Sequence, residues 1–162
     1  MQPAAIEWTQ TVFSNKSHNW EDLAFLRKYW PGPIVLKSIL TVAIGMQGIV
    51  VSDHGGREVD GAVSSLAVLP DIVDTVGDKI DVLFDSGIRY GADSAKAVAL
   101  GAKMCLVGRP YIYGLVLGGE DGASHVIKAL LVEFQLTLHL AGITSCQGHD
   151  LNRSRMVMQS YL

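Results

Sequence analysis

Residues 48–57 read Gly-Ile-Val-Val-Ser-Asp-His-Gly-Gly-Arg. The first four are small or apolar without alternation, the pattern of a strand covered on both faces, as in the parallel sheets of α/β folds. The next six present a hydroxyl, a carboxylate, an imidazole, two glycines and a guanidinium. Parallel α/β folds build their sites where strands end at their carboxyl termini. This one stretch therefore predicts a fold class and the place of its chemistry.

The flanking sequence repeats the pattern. Upstream, Asn19 is expected to cap a helix with Glu21 and Asp22 in its first turn and Leu23, Leu26 and Trp30 on one face, stopped by Pro31-Gly32-Pro33. A strand over Ile34–Leu40 follows. Downstream, Leu66, Leu69, Ile72, Val73 and Val76 mark a helix ending at Gly77, and Ile80–Phe84 reads as a third strand. Asp93 is expected to cap a short helix through Ala95, Val98 and Ala99 to Gly101. Met104–Val107 is a fourth strand. A long amphipathic helix is then expected over Gly122–Leu140, with Val126, Ile127, Leu130, Leu131, Phe134 and Leu138 inward. Strands alternating with helices imply an α/β fold, its parallel sheet covered on both faces or closed into a barrel. No linker divides the chain, so residues 1–162 are expected to form a single domain.

One connection is too short. Only Thr41–Met46, six residues, stand between Leu40 and Gln47, whereas a parallel crossover takes about 10–12 or more and usually contains a helix. Either the first strand is displaced, or "TVAIGM" crosses as a stretched connection with its helix missing.

Composition narrows the function. A chain of 162 residues with 49% hydrophobic content is long enough for one sizeable core. A formal charge of −3 and no run of like charges give no footprint for a nucleic acid. No apolar run reaches the roughly 18–20 residues of a spanning helix, and the first ten residues lack a basic segment before an apolar one. The chain is expected to be soluble, unexported and cytoplasmic, with no membrane partner. Cys105 and Cys146 lack metal or disulfide spacing, and no metal is expected. His18, His125, His139 and His149 read as surface or helix-packing residues.

The candidate site lies at the four strand ends. Lys37 lies within the first strand, Ser52-Asp-His-Gly-Gly-Arg57 follows the second, Asp85-Ser-Gly-Ile-Arg89 the third and Gly108-Arg109-Pro110 the fourth. Gly87 with Arg89 and Gly108 with Arg109 set small backbone beside guanidinium, which suits a phosphate. His54 titrates close to working pH and suits a general base, typically worth a factor of about 10² to 10⁴ in rate. Arg57, three residues on, can clamp a carboxylate. Taken singly, Lys37 reads as a snorkelling edge residue and Arg89 or Arg109 as a surface ion pair. Their common position at one end of the sheet favours a shared pocket.

From about Trp20 to Leu140 the chain resembles the carboxy-terminal half of the FMN-dependent 2-hydroxy-acid oxidoreductases, the family of glycolate oxidase, lactate oxidase, lactate 2-monooxygenase and flavocytochrome b2. The motifs are "IVLKSIL", "GIVVSDHGGREVDGA", "LFDSGIRYGADSAKAVALGAK" and "LVGRPYIYGL". The resemblance implies a partial TIM (β/α)8 barrel of about four parallel βα units. It implies FMN as cofactor and the oxidation of a small 2-hydroxy acid to the 2-keto acid, by proton abstraction and hydride transfer to flavin. By the same resemblance Lys37 and Ser52 contact the flavin, His54 is the base, and Arg57 binds the substrate carboxylate. Asp85, Gly87, Arg89, Gly108 and Arg109 then surround the FMN phosphate.

The departures point to an alternative. The family barrel needs roughly 250 residues, and its first half carries much of the ring contact and the aspartate that orients the catalytic histidine. The alternative reading is accordingly a truncated, inactive homologue or interaction module that no longer holds FMN. Two open sheet edges would favour a homo-oligomer. Asp53, where the family usually has asparagine, is expected to sit beside His54 and raise its pKa.

Overall fold

The computed structural model describes residues 6–7, 20–37, 45–57, 59–146 and 150–155. These divide into two compact units, one ending at Gly32 and one beginning at Pro33.

The first unit contains helix α1, Asp22–Tyr29. Asp22 in its first turn and Arg27 and Lys28 in its last complement the helix dipole. Phe25 and Tyr29, one turn apart, bring their ring centroids to 4.8 Å. Trp30 leaves the helix in an extended conformation, and Arg27 Nη1 donates to the Gly32 carbonyl at 2.8 Å. The cap residue is Glu21, which makes no side-chain cap bond; Asn19 lies outside the described residues.

The second unit is built on strands β1 (Val35–Lys37), β2 (Gly48–Val51), β3 (Asp81–Asp85) and β4 (Met104–Leu106), parallel and in sequence order. Val35, Gly48 and Asp81 stand in one row, and Lys37, Val50, Leu83 and Met104 in another. β2, with a neighbour on each side, is buried along its whole length, as its unbroken apolar sequence predicts. Helices α2 (Ser65–Val76) and α3 (Gly91–Ala99) cover one face. There Leu69, Val76, Ala97 and Leu100 meet Ile49, Val51, Val82 and Phe84. Burying each of the larger side chains is worth about 1.5–3 kcal/mol. On the other face Val35 is 44% and Met104 56% exposed. Among the described residues helices line one face, as in a segment of barrel wall, which is the second of the two arrangements expected from the sequence.

Of the expected strand Ile34–Leu40, β1 is described over Val35–Lys37, and residues 38–44 lie outside the described residues. Lys37 pairs in parallel with Val50. The shortened crossover, including "TVAIGM", falls mostly in that undescribed stretch.

Two helices differ from expectation. α3 starts at Gly91, and Asp93 sits inside its first turn, its carboxylate accepting N–H bonds from Arg89 at 3.0 Å and Tyr90 at 2.9 Å. The Gly91 N–H is taken by Glu133 Oε2 at 2.9 Å, so α3 starts where the last helix supplies an acceptor. That last helix, α4, spans Arg109–Leu140 as two helical runs; the second contains the expected Gly122–Leu140, and the first, from Arg109, was not expected. It is broken at Gly118–Gly119, where Gly119 takes φ 59°, ψ −145°, a conformation open to glycine alone. Of its expected inward residues Leu138 is buried and Val126, Leu130 and Phe134 are half-buried, while Ile127 and Leu131 are exposed. No helix among the described residues is long and apolar enough to cross a membrane.

Candidate functional site

The site is built around a left-handed turn that follows β2. His54, Gly55 and Gly56 have φ values of 55°, 71° and 68°. A non-glycine residue in this region costs about 1–2 kcal/mol, and the turn leaves three successive N–H groups without ladder partners. Each is met by a side chain. His54 N–H donates to Ser52 Oγ at 3.1 Å, Gly55 N–H to Ser86 Oγ at 2.9 Å and Gly56 N–H to Asp53 Oδ1 at 3.0 Å.

The turn presents the imidazole between two cations. Lys37 Nζ lies 3.2 Å from Nδ1 and Arg57 Nη2 3.0 Å from Nε2. Arg57 Nε also donates to the His54 carbonyl at 3.2 Å, which fixes the guanidinium beside the ring. A neutral imidazole accepts at one nitrogen only, so the two donors compete for one lone pair.

Asp85 joins the strand ends. Its Oδ2 accepts from Ser52 Oγ at 2.7 Å and lies 3.4 Å from Lys37 Nζ; its Oδ1 accepts the Ser86 N–H at 2.8 Å. The Lys37–Asp85 pair is partly exposed, where such a pair contributes about 0–1 kcal/mol; its consequence is placement.

Asp53 braces the turn. Its carboxylate accepts from Gly56 N–H and, at 3.3 Å, from Ser65 N–H at the start of α2, pinning the turn to that helix. Burial raises its carboxyl, and hydrogen bonds from the Ser86 side chain and the Ser65, Gly56 and Gly55 backbones outweigh it, leaving the carboxyl below its ordinary 3.8.

Lys37, His54, Arg57, Asp85, Gly87, Arg89, Gly108 and Arg109 all line one cleft of about 220 Å³. The structure thus brings together eight of the nine sequence-predicted site residues. Ser52, the ninth, stands behind them with its hydroxyl engaged by Asp85 and the His54 backbone. Arg109 opens α4 and reaches across to the Gly55 carbonyl at 3.4 Å. Gly108 precedes it with no side chain to cap the helix, so first-turn N–H groups are left to solvent or a ligand. Lys37, Arg57, Arg89 and Arg109 against Asp85 give the lining a cationic excess suited to an anion. The volume is below the roughly 300–1,000 Å³ of a full ligand pocket; these residues form one wall.

Ser86 was not singled out from sequence. It lines the cleft at φ 85°, the second non-glycine residue in the left-handed region. The only sequence signal is a hydroxyl in the Asp-Ser-Gly at the end of β3. Of the other histidines, His125 and His139 are exposed, while His18 and His149 lie outside the described residues. Cys105 is half-buried and Cys146 exposed; both line an apolar groove of about 670 Å³ beside β4, with Met104, Val107 and Phe134.

Known proteins place the chain. It is 62% identical over 160 residues to an FMN-dependent alpha-hydroxy acid dehydrogenase of Schizosaccharomyces pombe, covering 94% of this chain and 39% of that relative. It is 46% identical over 143 residues to an L-lactate oxidase of Nostoc, covering 84% of this chain and 39% of the relative. A crystal structure of mandelate oxidase with benzoyl-formic acid matches with a TM-score of 0.76 at 42% identity, covering 80% of this chain and 41% of that one. The chain therefore spans about two fifths of the length of the relatives it matches. The sequence pattern of the FMN-dependent dehydrogenases extends over residues 1–157, and this chain belongs to that family.

Proposed function

We propose that the chain forms one wall of an FMN site in which a small 2-hydroxy acid is oxidised to the 2-keto acid. The observation that carries this reading is the convergence of Lys37, His54, Arg57, Arg89 and Arg109 on one cleft. The donor set suits the cofactor: Arg89, Arg109, Gly87, Gly108 and the start of α4 would hold the phosphate, and Lys37 the ring edge where negative charge gathers. When bound, FMN supplies the acceptor for the C2 hydrogen and its electron pair.

The chain's own residues do the rest. Arg57 binds the acid's carboxylate, a charge-assisted contact worth about 1.5–3 kcal/mol. That contact draws the guanidinium away from His54 Nε2, which then faces the substrate hydroxyl and accepts its proton. For this the ring hydrogen sits on Nδ1 and Lys37 withdraws from that nitrogen. Asp85 holds Lys37 nearby throughout. The test is anaerobic addition of lactate or glycolate to protein carrying FMN: the flavin absorbance bleaches, and in His54→Gln it stays while FMN remains bound. Bleaching at the wild-type rate in His54→Gln overturns the assignment of the base.

One observation favours the second reading, an interaction module without flavin. Among the described residues neither β1 nor β4 has a further strand at its outer edge, and the apolar groove beside β4 is uncovered. A purified chain that never retains FMN supports it.

A further inference from the structure

We propose that Ser86 is a positioning residue whose hydroxyl sets the His54–Gly56 turn relative to β3. The inference rests on the proposed role of His54 as base. Three side chains accept the N–H groups of the turn; Ser52 and Asp53 belong to the turn's own segment, and are themselves tied to Asp85 and to the Ser65 N–H. Ser86 comes from another strand end, with its Oγ 2.9 Å from Gly55 N. The same oxygen lies 3.4 Å from Ser52 Oγ. Arg109 Nη2 holds the Gly55 carbonyl from α4. Gly55, next to the imidazole, is thus gripped on both sides by the loops assigned to the FMN phosphate.

The backbone of Ser86 supplies the second half of the argument. At φ 85° a serine is strained, and glycine would adopt that conformation freely. Glycine at this position would relieve the strain and forfeit the hydroxyl; alanine would forfeit the hydroxyl and keep the strain. The pair Ser86→Gly and Ser86→Ala therefore separates a backbone role from a positioning role.

The measurement is amide exchange of Gly55 by NMR in the full 17.5 kDa chain, with thermal midpoints taken alongside. Losing one hydrogen bond is expected to speed Gly55 exchange about tenfold in both variants. The midpoint falls in Ser86→Ala and stays near wild type in Ser86→Gly. Where wild-type protein reduces its flavin with lactate, Ser86→Gly lowers kcat about tenfold and leaves FMN affinity unchanged. Gly55 exchange that is unprotected in wild type, or unchanged in Ser86→Gly, overturns the proposal. So does an undiminished kcat in Ser86→Gly. A wild-type chain that never reduces flavin defeats the proposed function by itself, and the exchange result then decides the link between Ser86 and the turn.

Discussion

Alanine in place of Gly55 would strike the backbone of the turn and the far wall of the cleft at once. At φ 71° the added Cβ forces the left-handed region, at about 1–2 kcal/mol. It would also come within 2.6 Å of Arg109 Nη2, so the guanidinium has to leave. Gly56→Ala is the control: its φ is 68°, and a Cβ there meets nothing within 4 Å. Both variants should lose about 1–2 kcal/mol, read as a lowered urea midpoint at unchanged slope. Only Gly55→Ala should also weaken FMN binding, by the 1.5–3 kcal/mol of a charge-assisted contact, or about tenfold to a hundredfold. A fluorescence titration of FMN with each variant measures the difference. Equal FMN affinities in the two would refute the placement of Arg109 on the phosphate.

Asp53 contributes stability as a carboxylate, because its folded value lies below the ordinary 3.8. That stability is present above pH 3.8 and is lost as pH falls through the lowered folded value. Asp53→Asn should flatten the acid end of a stability–pH curve, and an unchanged curve contradicts the pinning role. Burial pushes the Cys105 thiol up to about 11 while Cys146 is exposed. A thiol reagent near pH 8 should therefore modify Cys146 fast and Cys105 slowly; two equally fast thiols would contradict the packing. Phe84→Ala should cost about 3–5 kcal/mol, since the ring is 2% exposed at the centre of the core, measured as urea unfolding free energy.

What could be read from sequence follows from what a one-dimensional pattern encodes. Gly48–Val51 was legible as a central strand because four apolar residues in a row have only one economical placement. The helical run that begins at Arg109 was not. Gly108-Arg109-Pro110 and Gly118-Gly119 look like loop, yet proline is compatible with a first helical turn and the double glycine marks a break between two helical runs. Asp93 has the chemistry of a cap, but its register was set by Glu133 meeting Gly91, a contact 42 residues away in sequence. The site was legible where charge interrupts an apolar strand end, as at Lys37, His54, Arg57, Arg89 and Arg109. Ser86 was not, since neither its backbone angle nor its partner across the sheet leaves a mark in the order of residues. Asp53 drew notice only as the neighbour of His54, and its acceptance of the Gly56 and Ser65 N–H groups leaves no mark in the order of residues.

The most direct test of the central claim, a wall built to hold FMN by its phosphate, is a parallel titration of the purified chain with FMN and with riboflavin, which lacks the phosphate. Two guanidinium contacts and a helix start predict FMN binding tighter by about a hundredfold or more. Equal binding of the two flavins, or binding of neither, would contradict it.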